Sequence, residues 1–196
     1  MSLMNILGID PGPLQSALAL WDTDAEEVLD HQYIHNDAAV EYISDFASPL
    51  CEFQLDVLCI EFIQSYGMAV GQETFGTCLY CGDYRRTGLN MQVDTSLVFK
   101  TTWAAGLTGS ANANKSQTRR AVIDRYGYWK HGSTGLGVKA HPGKLYGITA
   151  HIWDALGIAI YAMEQYAAGK RPVERWKDYQ LREAKSKRKA KKKERK

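Results

Sequence analysis

At 196 residues and 45% hydrophobic content, the chain can bury one α/β core and is too short for two substantial ones. No run approaches the roughly 18 consecutive apolar residues of a membrane helix and no secretory leader opens the chain, which predicts a cytoplasmic protein with no membrane partner. The formal net charge of +2 hides an asymmetry: residues 170–196 hold 14 Lys/Arg against 4 Asp/Glu, a net of +10, leaving residues 1–169 at −8.

In chain order, residues 4–10, 14–21 and 27–35 read as three successive strands. "QSALALW" and "EVLDHQYIH" alternate as a meander with one half-exposed face does. Asn36 and Asp37 offer caps for a helix to about 47, which Pro49 ends. "LDVLCIEF" (55–62) is a nearly continuous apolar run, the pattern of a central strand covered on both faces. A helix over 68–85 and a strand over about 91–99 follow. Asn114 can cap a helix to about 126, and a loop over 130–146 leads to a helix over 148–168 that Gly169 closes. The order predicts one α/β domain with a mixed five-stranded sheet over residues 4–169. The tail, 170–196, ends "AKSKRKAKKKERK", a self-repelling run that reads as disordered and suited to phosphate backbones.

Of the four cysteines, Cys59 lies in the central strand and reads as a small core residue. Cys78-Leu-Tyr-Cys81 has zinc or redox spacing, but no second Cys/His pair follows it. Reduced thiols on a helix are the expectation.

Charge placement carries the chemistry. Strand alternation puts Ile6, Gly8 and Asp10 on one face of the first strand, and Val57, Cys59 and Glu61 together on the fourth. Each strand is apolar until a carboxylate arrives at its C-terminal end, where an unpaired charge is costly. In "GITAHIWDALGIAIYAME", His151 and Asp154 stand three apart on one helix face, and Ala155, Gly157, Ala159 and Ala162 let that helix lie close to the sheet. Singly, Asp10 reads as a turn cap, Glu61 as an arginine partner and His151 as a core histidine. Jointly they form an oxygen-rich set with one imidazole, the ligand type for Mg²⁺ or Mn²⁺. Two such ions support phosphodiester hydrolysis.

These motifs resemble the RuvC family of Holliday junction resolvases, in the RNase H-like superfamily. "ILGIDPG", "CIEFIQ" and "AHIWDALGIAI" fall in the family's order, so the resemblance implies an RNase H-like fold with Asp10, Glu61, His151 and Asp154 as catalytic, metal-binding residues. "VFKTTWAAGLTGSANANKSQ" is similar to the segment in which the family sets lysines against DNA, which carries over to Lys100 and Lys115. Arg119, one turn beyond Lys115, presents a second cation on that helix face. Where the family has an aromatic wedge this chain has Gln64, and Tyr66 two residues on is the candidate to stack on an unpaired base.

The resemblance implies a crossover junction endodeoxyribonuclease with two Mg²⁺ or Mn²⁺ ions per site, acting on branched DNA in a bacterial or phage-infected cell. A four-way junction is near two-fold symmetric, so paired nicks imply a homodimer. Phe75, Cys78, Leu79 and Tyr80 exceed what one buried stripe of their helix requires and mark the expected interface. The alternatives are a catalytically weak junction-binding protein and an RNase H-like nuclease for other DNA or RNA–DNA substrates. An actin-like ATPase would need a second domain that 196 residues do not hold.

Overall fold

A computed structural model describes residues 4–63 and 69–170. The strands β1 (Asn5–Asp10), β2 (Gln15–Asp22) and β3 (Glu27–His35) form the expected antiparallel meander. β4 (Val57–Phe62) joins the other side of β1 in parallel, and β5 (Asp94–Phe99) joins β4 in parallel. The sheet order is therefore β3-β2-β1-β4-β5, the mixed five-stranded sheet predicted from the sequence.

Two cores flank this sheet. Leu7, Ile9, Leu18, Leu20, Leu58 and Ile60 pack against α1 (Asn36–Phe46) and α2 (Gln72–Asn90). Ile6, Ala17, Val57 and Cys59 turn to α3 (Lys100–Thr108), α4 (Lys115–Tyr126) and α5 (Ile152–Ala167) on the opposite face. β4 is thus covered on both faces, as its unbroken apolar run requires.

The small residues of α5 have the expected effect. A Cβ on Gly8 would stand 2.1 Å from the Ala155 carbonyl oxygen and 2.8 Å from the Ala159 nitrogen. Backbone therefore meets backbone here, and α5 rests directly on β1, the strand that ends in Asp10.

Several elements differ from the sequence reading. His35, not Asn36 or Asp37, is the N-cap of α1, its imidazole accepting from the Asp37 N–H. Asn36 is instead fully buried and serves a polar network. Its Oδ1 accepts from the Ser16 hydroxyl at 2.8 Å and the Tyr84 hydroxyl at 3.0 Å, and its Nδ2 donates to the Gly12 carbonyl at 3.1 Å. The Gly12 N–H donates to Ser16 Oγ at 3.4 Å, so the loop after Asp10 is held by both backbone polar atoms of one residue.

The helix expected over 68–85 runs from Gln72 to Asn90, starting after an extended Gly71. α3 was not anticipated: it follows β5 directly and Phe99 supplies no side-chain cap, so the sequence carries no start signal. α4 begins where predicted, with a capping box between Asn114 and Gln117. The 130–146 loop contains a short hairpin, β6 (Gly137–Val138) with β7 (His141–Pro142), and Lys144 ties it to the Ala25 carbonyl in the β2–β3 turn. The last helix starts at Ile152 rather than 148, because Ala150 (φ 42°) takes left-handed backbone that a helix cannot continue through. All four cysteines are free thiols. No helix among the described residues is long and apolar enough to cross a membrane. Tyr66 and the basic tail from residue 171 lie outside the described residues.

Candidate active site

Parallel pairing of Ile9 with Ile60 brings the next residue of each strand, Asp10 and Glu61, to one edge of the sheet. α5 arrives at the same edge from its own side. His151 is its N-cap residue and Asp154 lies in its first turn, nearly wholly buried. Ligand atoms of Asp10, His151 and Asp154 all lie within 4.8 Å of one another.

Glu61 stands beside this group with its carboxylate engaged. Trp103, fully buried in α3, donates its indole N–H to Glu61 Oε2 at 2.7 Å. No local pattern in the sequence marks Trp103 as a site residue; only its place in the lysine-bearing segment "FKTTW" hints at it.

Two ammonium groups are packed into the cluster. Lys115 Nζ lies 3.1 Å from Asp154 Oδ2 and 3.3 Å from His151 Nδ1, and Lys100 Nζ lies 3.8 Å from Asp154 Oδ2. His151 Nδ1 also sits 3.2 Å from Asp10 Oδ2. The ammoniums supply counter-charge to Asp154, and they sit at the starts of α3 and α4 because each helix begins at this edge.

The electrostatics follow from depth. Burial, then the nearby Asp154 charge, pushes the Asp10 carboxyl well above the ordinary carboxylate range, against the opposing pull of Lys100 and Lys115. Burial and then Asp10 raise Glu61 likewise, partly offset by Lys100 and the Trp103 hydrogen bond. Such a group of acids gains from an added cation.

The donor chemistry suits a hard divalent ion: carboxylate oxygens and one imidazole, converging at the mouth of an open cleft of about 460 Å³. The Pro11–Leu14 loop, Tyr33, Thr77 and both lysines line this cleft. Arg119 lies beside it on α4, with its guanidinium over the Trp153 ring at 5.0 Å. The structure therefore brings Asp10, His151 and Asp154 together and sets Lys100 and Lys115 against Asp154, whereas Glu61, expected as a fourth ligand, stays outside this group with its carboxylate bonded to Trp103, and Arg119 lies at the margin.

No family model and no curated protein matches the sequence. Among solved structures, Thermus thermophilus RuvC is similar with a TM-score of 0.59 at 17% identity, over 86% of this chain and 98% of that one. T. thermophilus RuvC in complex with Holliday junction substrate gives 0.58 at 16% identity, with the same shares of each chain. A Fowlpox virus resolvase, solved with substrate Holliday junction DNA, gives 0.46 at 14% identity over 83% and 99%. The likeness is one of fold: this chain has the RuvC-type, RNase H-like architecture that its motifs led one to expect.

Proposed function

We propose that the chain is a metal-dependent, structure-selective endodeoxyribonuclease that cuts four-way and related branched DNA junctions. The observation that carries this reading is the convergence of Asp10, His151 and Asp154, with Glu61 alongside, on the cleft edge of a RuvC-type sheet. A second support is that both lysines of the resolvase-like segment reach the same carboxylate.

Asp10, Glu61, His151 and Asp154 would hold Mg²⁺ or Mn²⁺, two ions in the full site, which supply an activated water and neutralise charge on the leaving oxygen. The chain's own residues do the rest. Trp103 fixes the Glu61 carboxylate, so its free oxygen is presented in one orientation. Lys100 and Lys115 give the cleft positive groups for the phosphates of the strand being cut, and Arg119 extends that charge one turn along α4. Tyr66 remains the candidate for stacking on an unpaired base.

A homodimer supplies the paired sites that a two-fold junction needs. Phe75 (65% exposed), Cys78 and Leu79 (62% exposed) line one stripe of α2 at helical spacing, an apolar face suited to a second copy. Tyr80 is less suited, since its hydroxyl donates to Asp37 of the same chain.

The test is a side-by-side digest of a synthetic four-way junction, a flap, a linear duplex and an RNA–DNA hybrid with Mg²⁺. The junction should be nicked preferentially on two opposed strands, and Asp10→Asn should bind it without nicking. Preference for the hybrid, or undiminished nicking by Asp10→Asn, would overturn the reading.

A further inference from the structure

Beside the cleft a second groove opens, of about 420 Å³. It shares Lys115, His151 and Asp154 with the cleft, so the two adjoin at the candidate metal ligands. Ser116 and Arg119 of α4, Thr149 of the turn before α5, and Trp153 line the part that lies outside the cleft.

Among the described residues the positive charge of this groove is not fully compensated. Of the three arginines on α4, Arg120 pairs with Asp124 at 2.7 Å and Arg125 with Glu164 at 3.5 Å. Arg119 makes no ion pair among the described residues. The groove's lining holds a single carboxylate, Asp154, and both lysines already contact it. Arg119 is nevertheless restrained, because its guanidinium rests on the buried Trp153 ring. A cation held in place with no carboxylate partner among the described residues, next to two hydroxyl-bearing residues, suits an anion that offers several acceptor oxygens. Helical rise puts Arg119 about 6 Å along the axis from Lys115, so the two can serve successive anions rather than one.

We propose that this groove is a subsite for the phosphodiester adjacent to the one that is cut, on the same DNA strand, with Arg119 as its charged donor. The proposal rests on the nuclease reading above and adds to it a path for the strand: through the cleft, over His151, and out past Arg119.

The test uses four-way junctions in which single phosphates around the cut are replaced, one at a time, by neutral methylphosphonate. Binding is measured in Ca²⁺ and nicking in Mg²⁺, for the wild-type chain and for Arg119→Ala and Arg119→Lys. One neutral linkage next to the cut should weaken wild-type binding about tenfold, the scale of one charge-assisted hydrogen bond. Arg119→Ala should weaken binding of the unmodified junction by a similar factor and lose no more at that linkage, whereas Arg119→Lys should recover part of the loss. Additive losses at every linkage, or wild-type binding by Arg119→Ala, would overturn the subsite. If the wild-type chain binds junctions in Ca²⁺ but never nicks in Mg²⁺, the nuclease reading fails, while one linkage whose neutralisation weakens the wild type but not Arg119→Ala would still assign Arg119 to a single phosphate. Failure to bind any junction would sink both.

Discussion

Tyr33, half-exposed on the edge strand β3, lies flat against the His151 ring, with centroids 5.6 Å apart and planes 10° from parallel. His151 is itself 48% exposed, so packing alone does not hold its imidazole toward Asp10. The stack restricts the ring to one plane and so presents Nδ1 to the carboxylates.

Replacing Tyr33 with Ala should therefore weaken Mn²⁺ binding, followed by titration calorimetry, by roughly two- to tenfold, the range of one aromatic pair. Tyr33→Phe should keep the wild-type affinity, since the stack needs the ring and not the hydroxyl. Equal loss in both variants would mean that the hydroxyl, not the ring, acts.

Trp103→Phe should remove the indole donor to Glu61 and keep most of the apolar contact. A buried carboxylate oxygen deprived of its donor costs on the order of 1–3 kcal/mol. Nicking by this variant is expected to fall about 10- to 100-fold, while junction binding in Ca²⁺ is retained. A variant that nicks at the wild-type rate would remove Trp103 from the site.

The raised carboxyls make a pH prediction for the metal-free protein. Asp10 and Glu61 titrate near 4 when unfolded, and both are pushed up to about 7 in the fold. Between these values the folded chain binds protons that the unfolded chain has released, so stability falls as pH rises through that window. With a chelator present, Tm should drop by at least about 2–4 °C from pH 5 to pH 8 on this account. Asp10→Asn together with Glu61→Gln should flatten the slope, and Mg²⁺ added at pH 8 should restore Tm by binding only the folded form. A Tm that rises over this window in wild type would contradict the burial argument.

Gly8→Ala should be among the most damaging single substitutions. Its methyl would meet the α5 backbone, which has no rotamer to yield, so a loss of about 3 kcal/mol or more is expected, at or above the upper end for overpacking. Chemical denaturation of Gly8→Ala beside Gly82→Ala, where nothing lies within 4 Å of the added Cβ, provides the contrast.

The sheet and the strand-end acids were legible in the sequence because each depends on a local pattern. Alternation along β1 to β3, the apolar run of β4 and the small residues of α5 each report their own burial. Asn36 shows the limit. Its side chain fits a cap by local rules, and only tertiary contact with Ser16, Tyr84 and Gly12 makes it a buried anchor. Trp103 is similar: an indole donor to a carboxylate 42 positions away leaves no periodic trace. The helix α3 has no side-chain cap to announce it, and the late start of α5 follows from a left-handed alanine that no local pattern marks.

The two ammoniums wedged among the acids have a consequence for how the molecule would load. On the nuclease reading, Asp154 would give up its contacts with Lys115 and Lys100 to a divalent ion, which would supply the counter-charge those ammoniums now provide. Both lysines would then be free to meet the phosphates of a nucleic acid. Ion and nucleic acid should thus each tighten the other's hold by the same factor, as thermodynamic reciprocity demands. Idle protein, with its lysines folded inward, would guard itself against grasping either one alone.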